Sequence, residues 1–263
     1  MLPARRMSHI AACLLVAFGL TACGIFSRKI SDEQAAANRE AGQLLLSLSR
    51  TNKNLSAFKG VGQIKIWSRS RPPISERVAW IGAVPMSLRI VVLASGRPII
   101  KFASDGRYLY FVDLQNSRPS LKKVRSPNAS LRPLISMPVK SSDIIDLLSG
   151  RPPILRHSDV SLEKDIAGRG YILILEKWWQ VVEKVYLNED KSEIHMVEIL
   201  NSDNELQYRV EFNRMQEIQG YRVPSRLTIS DDNGAGIQLD IDRYIADISV
   251  NPSMFVLSPP DSY

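Results

Sequence analysis

Apolar positions along this chain recur first at helical spacing and then, for most of its length, at every second residue. Ala37, Ala41, Leu44, Leu45 and Leu48 fall on one face of a helix. Ser31 with Gln34 fits a capping box at its start, and Asn52 and Asn54 mark its end. Period two begins at "FKGVGQIKI", where Phe58, Gly60, Gly62, Ile64 and Ile66 share a face. The runs "SERVAWIGA", "MSLRIVVLA", "RPIIKFAS" and "RYLYFVDL" follow. Turn signals at Arg71-Pro72-Pro73, Val84-Pro85, Ser95-Gly96 and Asp105-Gly106 separate them. Pro127, Pro133 and Pro138 then interrupt the strand pattern. "SSDIIDLLSG" predicts one short helix, with Ser141 or Ser142 as N-cap and Gly150 just past its C-terminus.

Six more strands follow: "YILILEKWW", "VVEKVYL", "EIHMVEIL", "ELQYRVEF", "YRVPSRLTIS" and "GIQLDIDRYI". Leu206, Tyr208, Val210 and Phe212 alternate with polar residues, as do Ile237, Leu239 and Ile241; clean alternation means one dry face and one wet face. Asn188-Glu189-Asp190 and Asp231-Asp232-Asn233-Gly234 supply tight turns. The expectation is an α+β chain, mainly β, with about eleven antiparallel strands. So many strands do not stay flat. A strongly curved, unclosed β-barrel with an N-terminal and a mid-chain helix across its concave side satisfies the pattern.

Hydrophobic residues make up 44% of the 263, enough for a real core. The two cysteines, Cys13 and Cys23, leave everything after residue 23 free of disulfides, thiol nucleophiles and Cys-ligated zinc. Arg5 and Arg6, an apolar run from about Ile10 to Leu20 and then Thr21-Ala22 read as a secretory signal. The run is too short for a membrane span, which needs about 20 residues. Leu20-Thr21-Ala22-Cys23 resembles the bacterial lipobox. That resemblance implies cleavage before Cys23, a diacylglycerol thioether on its sulfur and an acyl chain on its new amine. Gly24, where an aspartate would retain a lipoprotein in the inner membrane, implies sorting to the outer membrane. The expected organisation is a signal over 1–22, a lipidated cysteine and tether over 23–30, and one domain over 31–263. Loss of Arg5 and Arg6 lowers the net charge from +7 to +5, an ordinary solubilising surface and a poor nucleic-acid binder.

No residue set carries catalysis or metal binding. His157 and His195 lack partners at ligand spacing. Asp240 and Asp242 share the polar face of a strand and read as solvated acids. Gly60-Val61-Gly62 precedes a strand, lacks the phosphate-loop ending, and reads as close approach of another element. Trp67, Trp80, Trp178 and Trp179 lie on predicted strands, mostly as core. An incompletely closed barrel leaves part of such apolar surface as a pocket.

Several stretches resemble the lipoprotein carrier and receptor family of LolA and LolB. "LSAFKGVGQIKI", "MSLRIVVLASGRPIIKF", "ISMPVKSSDIIDLLSGRPP" and "VPSRLTISDDNGAGIQLDIDRYI" are similar to LolB; "FASDGRYLYFVDL" and "NPSMFVLSPPDSY" are nearer to LolA. The resemblance implies an unclosed barrel with a helical lid and an apolar cavity. It implies a non-enzymatic outer-membrane lipoprotein, facing the periplasm and receiving acyl chains of lipoproteins from a LolA-type carrier, without a cofactor beyond its own lipid. A tethered binding or sensor module of the same fold is the alternative. LolB carries an apolar residue at the tip of the hairpin that matches "VVLASGRP"; Leu93 and Ala94 stand nearest to that tip as the membrane-facing candidates. The arginine that helps close the LolA lid has no counterpart at Gly82 or Ala83.

Overall fold

A computed structural model describes residues 32–69 and 71–259, so the readings at residues 1–31, including Cys23, Gly24 and the Ser31 cap, lie outside the described residues. The packing below is that of residues 37–259. Helix α1 spans Asp32–Arg50. Strands β1 (Ala57–Ser68), β2 (Arg71–Ala83), β3 (Ser87–Ala94), β4 (Arg97–Asp105), β5 (Tyr108–Asp113) and β6 (Lys122–Arg125) follow. Two helices interrupt the series, α2 (Arg132–Ile135) and α3 (Ser141–Leu148). Then come β7 (Asp159–Lys164), β8 (Tyr171–Lys177), β9 (Gln180–Leu187), β10 (Ile194–Leu200), β11 (Leu206–Ile218), β12 (Tyr221–Ser230), β13 (Gly236–Ala246) and a 3-10 turn at Pro252–Phe255.

All thirteen strands form one curved, unclosed antiparallel sheet in the order β6-β5-β4-β3-β2-β1-β13-β12-β11-β10-β9-β8-β7. The sheet is two up-and-down meanders joined by the pairing of β1 with β13. Eleven of the strands match the periodic runs. The two extra ones, β6 and β7, are the sheet edges. An edge strand buries little, so its sequence need not alternate: all four residues of β6 are exposed. Two local expectations are corrected. Arg71-Pro72-Pro73 is the start of β2 rather than a turn, with both prolines beyond the β3 pairing, which begins at Arg77; no ladder hydrogen bond to β3 is lost there. Trp178 and Trp179 are not on a strand; they form the β8–β9 turn.

Curvature at the junction has a visible cause. Three glycines sit opposite aromatic rings: Gly60 faces Trp80, Gly82 faces Phe58 and Gly236 faces Trp67. A Cβ at any of the three would come within 2.5 Å of the facing ring. Gly62 sits at a β-bulge against β13, where a Cβ would meet the Asp240 carbonyl oxygen at 2.1 Å. Phe58 also stacks on Tyr244 across the seam, centroids 5.3 Å apart. The Gly-Val-Gly motif lies inside β1 rather than before a strand, and it is a site of close approach, as expected.

The main core lies on one face of the sheet. Val78, Trp80, Leu88, Val92, Phe102, Val197, Tyr208, Val210, Leu227 and Ile229 pack there against the segment between the meanders. That segment contributes Leu131, Leu134, Ile135, Met137 and Val139 around α2, and Ile144, Ile145, Leu147 and Leu148 from α3, all buried. Each such side chain contributes about 1.5–3 kcal/mol by leaving water. Helix α1 adds Ala41 and Leu48 with Leu44 and Leu45 beside them. On the opposite face the C-terminal tail covers two smaller clusters, through Phe255 against Ala57 and Ala83, and Leu257 against Ala103, Tyr110 and Val112.

Gly60→Ala is expected to destabilise the protein by about 1–3 kcal/mol, because Trp80 must move. Gly42→Ala, on α1 with no atom near its added Cβ, should stabilise slightly, by up to about 1 kcal/mol. Chemical denaturation of both variants tests the contrast; an unchanged Gly60→Ala midpoint would refute this account of the seam.

Candidate functional site

Helix α3 is held at both ends and at its middle. Its N-cap is Lys140, one residue before the expected serines, whose backbone N–H donates to Asp143 Oδ2 at 3.1 Å. Asn128 does the work expected of a serine cap: its Oδ1 accepts from the Ser142 N–H at 3.0 Å and from the Ser141 hydroxyl at 3.3 Å. At the other end Gly150, with φ of +76°, takes the left-handed position after the helix, as the sequence predicts. Asn52, just after α1, donates through Nδ2 to the carbonyls of Ser149 and Arg222, both at 2.8 Å. One amide thus ties the ends of α1 and α3 to the start of β12.

Beneath α3 lies a void of about 40 Å³ with an entirely apolar wall. Ile144 and Leu148 of the helix roof it. Ile64, Val78, Trp80 and Ile90 line one side, from β1–β3, and Leu227, Ile229, Ile237 and Leu239 the other, from β12 and β13. The void therefore straddles the β13–β1 seam. The indole N–H of Trp80 is buried without a hydrogen-bond partner. Small-molecule pockets start near 300 Å³, so the space here is far below the size of one.

A polar cluster flanks the roof. Asp143 accepts the Tyr208 hydroxyl at 2.8 Å, tying α3 to β11. Asp146 takes Arg151, at 2.8 and 3.2 Å from Nη2 and Nε. Glu183 on β9 is wholly buried; its Oε2 accepts the Leu155 N–H at 2.9 Å and its Oε1 has no partner. Burial, and then the nearby Asp143 and Asp146 charges, push the Glu183 carboxyl up to about 8. Burial first and Asp143 second raise the Tyr208 phenol well above its ordinary value. Burial also raises the Asp146 carboxyl, against the pull of Arg151.

The other sequence candidates are distributed around the molecule. Leu93 and Ala94 end β3, half-buried, before the tight Ser95-Gly96 turn. His157 is exposed, and His195 is half-buried with its imidazole pulled down by burial and then by Arg169. Asp240 pairs with Arg226, and Asp242 with Arg77 at 3.2 Å, so each acid has a cation rather than a catalytic partner. Among the described residues no group of three or more His, Cys, Asp or Glu is placed to hold a metal, and no helix is long and apolar enough to cross a membrane.

One feature escaped the sequence. Trp178 and Trp179 both have positive φ, 49° and 72°, and are 76% and 95% exposed. This is the backbone of a two-residue hairpin turn, normally supplied by Asn-Gly. Holding two bulky residues there costs on the order of 1–3 kcal/mol each. No glycine or asparagine signals the turn, so the run reads as a continuing strand.

No family model matches the chain, and no curated protein is similar to it in sequence. Solved structures are similar in shape. A LolA superfamily protein from Nitrosomonas europaea matches with a TM-score of 0.53 at 16% identity, over 82% of this chain and 97% of that one. A putative outer membrane lipoprotein-sorting protein domain from Vibrio parahaemolyticus matches at 0.51 and 8% identity, over 83% and 97%. The chain has the LolA-like fold. A DUF1329 family protein from Desulfovibrio piger also shares it, with a TM-score of 0.56 and 10% identity over 84% of this chain and 97% of that one.

Glu183 gives the site a pH signature. Its unfolded form ionises near 4.5 and its folded form near 8, so folding takes up a proton across that window. The stability this group supports is complete below about pH 4.5 and is lost as pH rises through about 8. Glu183→Gln keeps an acceptor for Leu155 and removes the ionisation. The variant is expected to gain on the wild type as pH rises, by on the order of 4 kcal/mol at about pH 8. Parallel stability–pH curves in denaturant would refute it.

Proposed function

We propose that this protein is a lipid-anchored envelope protein that receives the acyl chains of lipoproteins, or of lipids, beneath α3, in the manner of LolB. The observation that carries the reading is the void at the seam, roofed by one short helix and walled by apolar side chains alone. Each buried methylene is worth about 0.8 kcal/mol, so an acyl chain of some fifteen costs on the order of 12 kcal/mol to expose and needs an equally apolar replacement. The void holds at most a few waters. Entry of a chain requires α3 to lift, which breaks the Asp143–Tyr208 and Asn128 hydrogen bonds and leaves the backbone of the sheet intact. Handoff then runs by exposure of one apolar groove to another, without nucleotide, metal or covalent chemistry. The anchor is the diacylglyceryl and N-acyl lipid on Cys23, Gly24 directs it to the outer membrane, and a LolA-type periplasmic carrier is the donor.

The small volume of the void favours a second reading, a tethered binding or sensor module whose cavity stays filled. One titration separates the two. Protein stripped of bound lipid is expected to take up a brominated fatty acid with quenching of Trp80, and Trp80→Phe should lose that response. Absence of quenching and of binding would favour the sensor module. The anchor has its own test: Cys23→Ser should abolish palmitate labelling and release the protein from the membrane fraction. Retention of label would exclude Cys23 as the acylated residue.

A further inference from the structure

The exposed Trp178-Trp179 turn has no role in the acyl site, and its construction suggests one of its own. The backbone is braced from both sides. The Trp178 N–H donates to Ser158 Oγ at 3.2 Å, and Ser158 in turn holds the Glu176 carbonyl through its N–H at 2.7 Å. On the far side, Gln180 Nε2 donates to the Ser202 carbonyl at 2.9 Å. The turn is thus fixed while both indoles project into solvent.

Beside it lies an open hollow of about 460 Å³. Its floor is Ile154 and Leu155; Arg156, His157 and Lys177 stand around it with Trp178, and no lining residue is acidic. Lys177 Nζ lies 5.3 Å from the Trp178 ring centroid. The acids in the neighbourhood are Asp159, engaged by the Ser158 hydroxyl, Glu176 next to Lys177 and opposite Asp159, Asp203 and Glu205 on the adjacent β10–β11 turn, and Asp143 and Asp146, which line an adjoining hollow that shares Arg156 and Lys177. Strand direction places this turn and the Ser95-Gly96 turn on the same edge of the sheet.

We infer that the β8–β9 turn is a membrane-contact tip, in which Trp178 and Trp179 enter the bilayer interface and the Arg156–Lys177 hollow receives the phosphate of an anionic phospholipid. Indole is the side chain best suited to that boundary, with an apolar body for the acyl region and an N–H for the headgroups. Two cations over an apolar floor match a phosphate above an acyl chain. A protein partner would also cover two indoles, but it would not call for the basic rim of Arg156 and Lys177 over an apolar floor. The inference rests on the proposed envelope location and is independent of the acyl void.

The test uses the full chain with its Cys23 anchor, so that wild type and variants share the same tether. Vesicles of phosphatidylethanolamine and phosphatidylglycerol are prepared with and without brominated acyl chains. Wild-type tryptophan emission is expected to shift to the blue and to be quenched by the brominated lipid. In a Trp80→Phe background, which silences the acyl void, Trp178→Ala/Trp179→Ala should lose both responses. Arg156→Gln/Lys177→Gln should keep them on phosphatidylglycerol vesicles only at several-fold higher lipid. Equal quenching of wild type and the tryptophan variant would assign the effect to the anchor and overturn the inference. A shift produced by added periplasmic protein and not by vesicles would overturn it in favour of a protein partner. Fatty-acid uptake by the tryptophan variant should stay at the wild-type level, which keeps failure of the tip distinct from failure of the acyl site.

Discussion

The pairing of β1 with β13 is the contact on which the rest of the structure depends. Every other strand pairs with its neighbour in sequence, so two meanders would form locally and remain separate. Ten pairs from Phe58↔Ala246 to Trp67↔Gly236 join them into one sheet. Glycines at this seam let aromatic rings lie flat against the backbone, and the bulge at Gly62 bends it. A flat sheet of thirteen strands would expose its apolar face; a bent one makes a trough that a short segment can fill.

That segment links the two free edges. The chain leaves the sheet at β6, crosses with α2 and α3, and re-enters at β7. The same stretch therefore plugs the opening that an unclosed barrel leaves. α3 is fixed by side-chain hydrogen bonds and by the burial of Ile144, Ile145, Leu147 and Leu148 rather than by a ladder.

The buried acids near α3 follow from the same geometry. Asp143 and Asp146 are the polar positions of a helix that is buried on more than one side, and Glu183 faces them from β9. Tyr208, the Ser142 hydroxyl and the Lys140 N–H compensate the burial of Asp143, and Arg151 that of Asp146. Glu183 is left neutral, with one oxygen unpartnered. The exposed tryptophans are the reverse case, apolar groups held in water by a braced turn. Both depart from what stability alone would select, and both flank the element or edge to which function is assigned.

Alternation alone identified eleven strands, the apolar face of α1, the glycine after α3 and the close approach at Gly60 and Gly62. These are local consequences of period, turn chemistry and the missing Cβ, so they are written in the residues themselves. The edge strands β6 and β7 were not legible, because an edge buries too little to impose a pattern. The Trp178-Trp179 turn was read as strand, because its left-handed backbone is imposed by bracing from Ser158 and Gln180 rather than by glycine. The cap on α3 was misplaced by a residue, because Asn128, thirteen and fourteen positions before the groups it caps, is close only in the folded chain. Which strand closes on which, and how much space remains under α3, depend on contacts far apart in sequence, where side-chain volumes meet only after the sheet has bent; tertiary structure alone decided them.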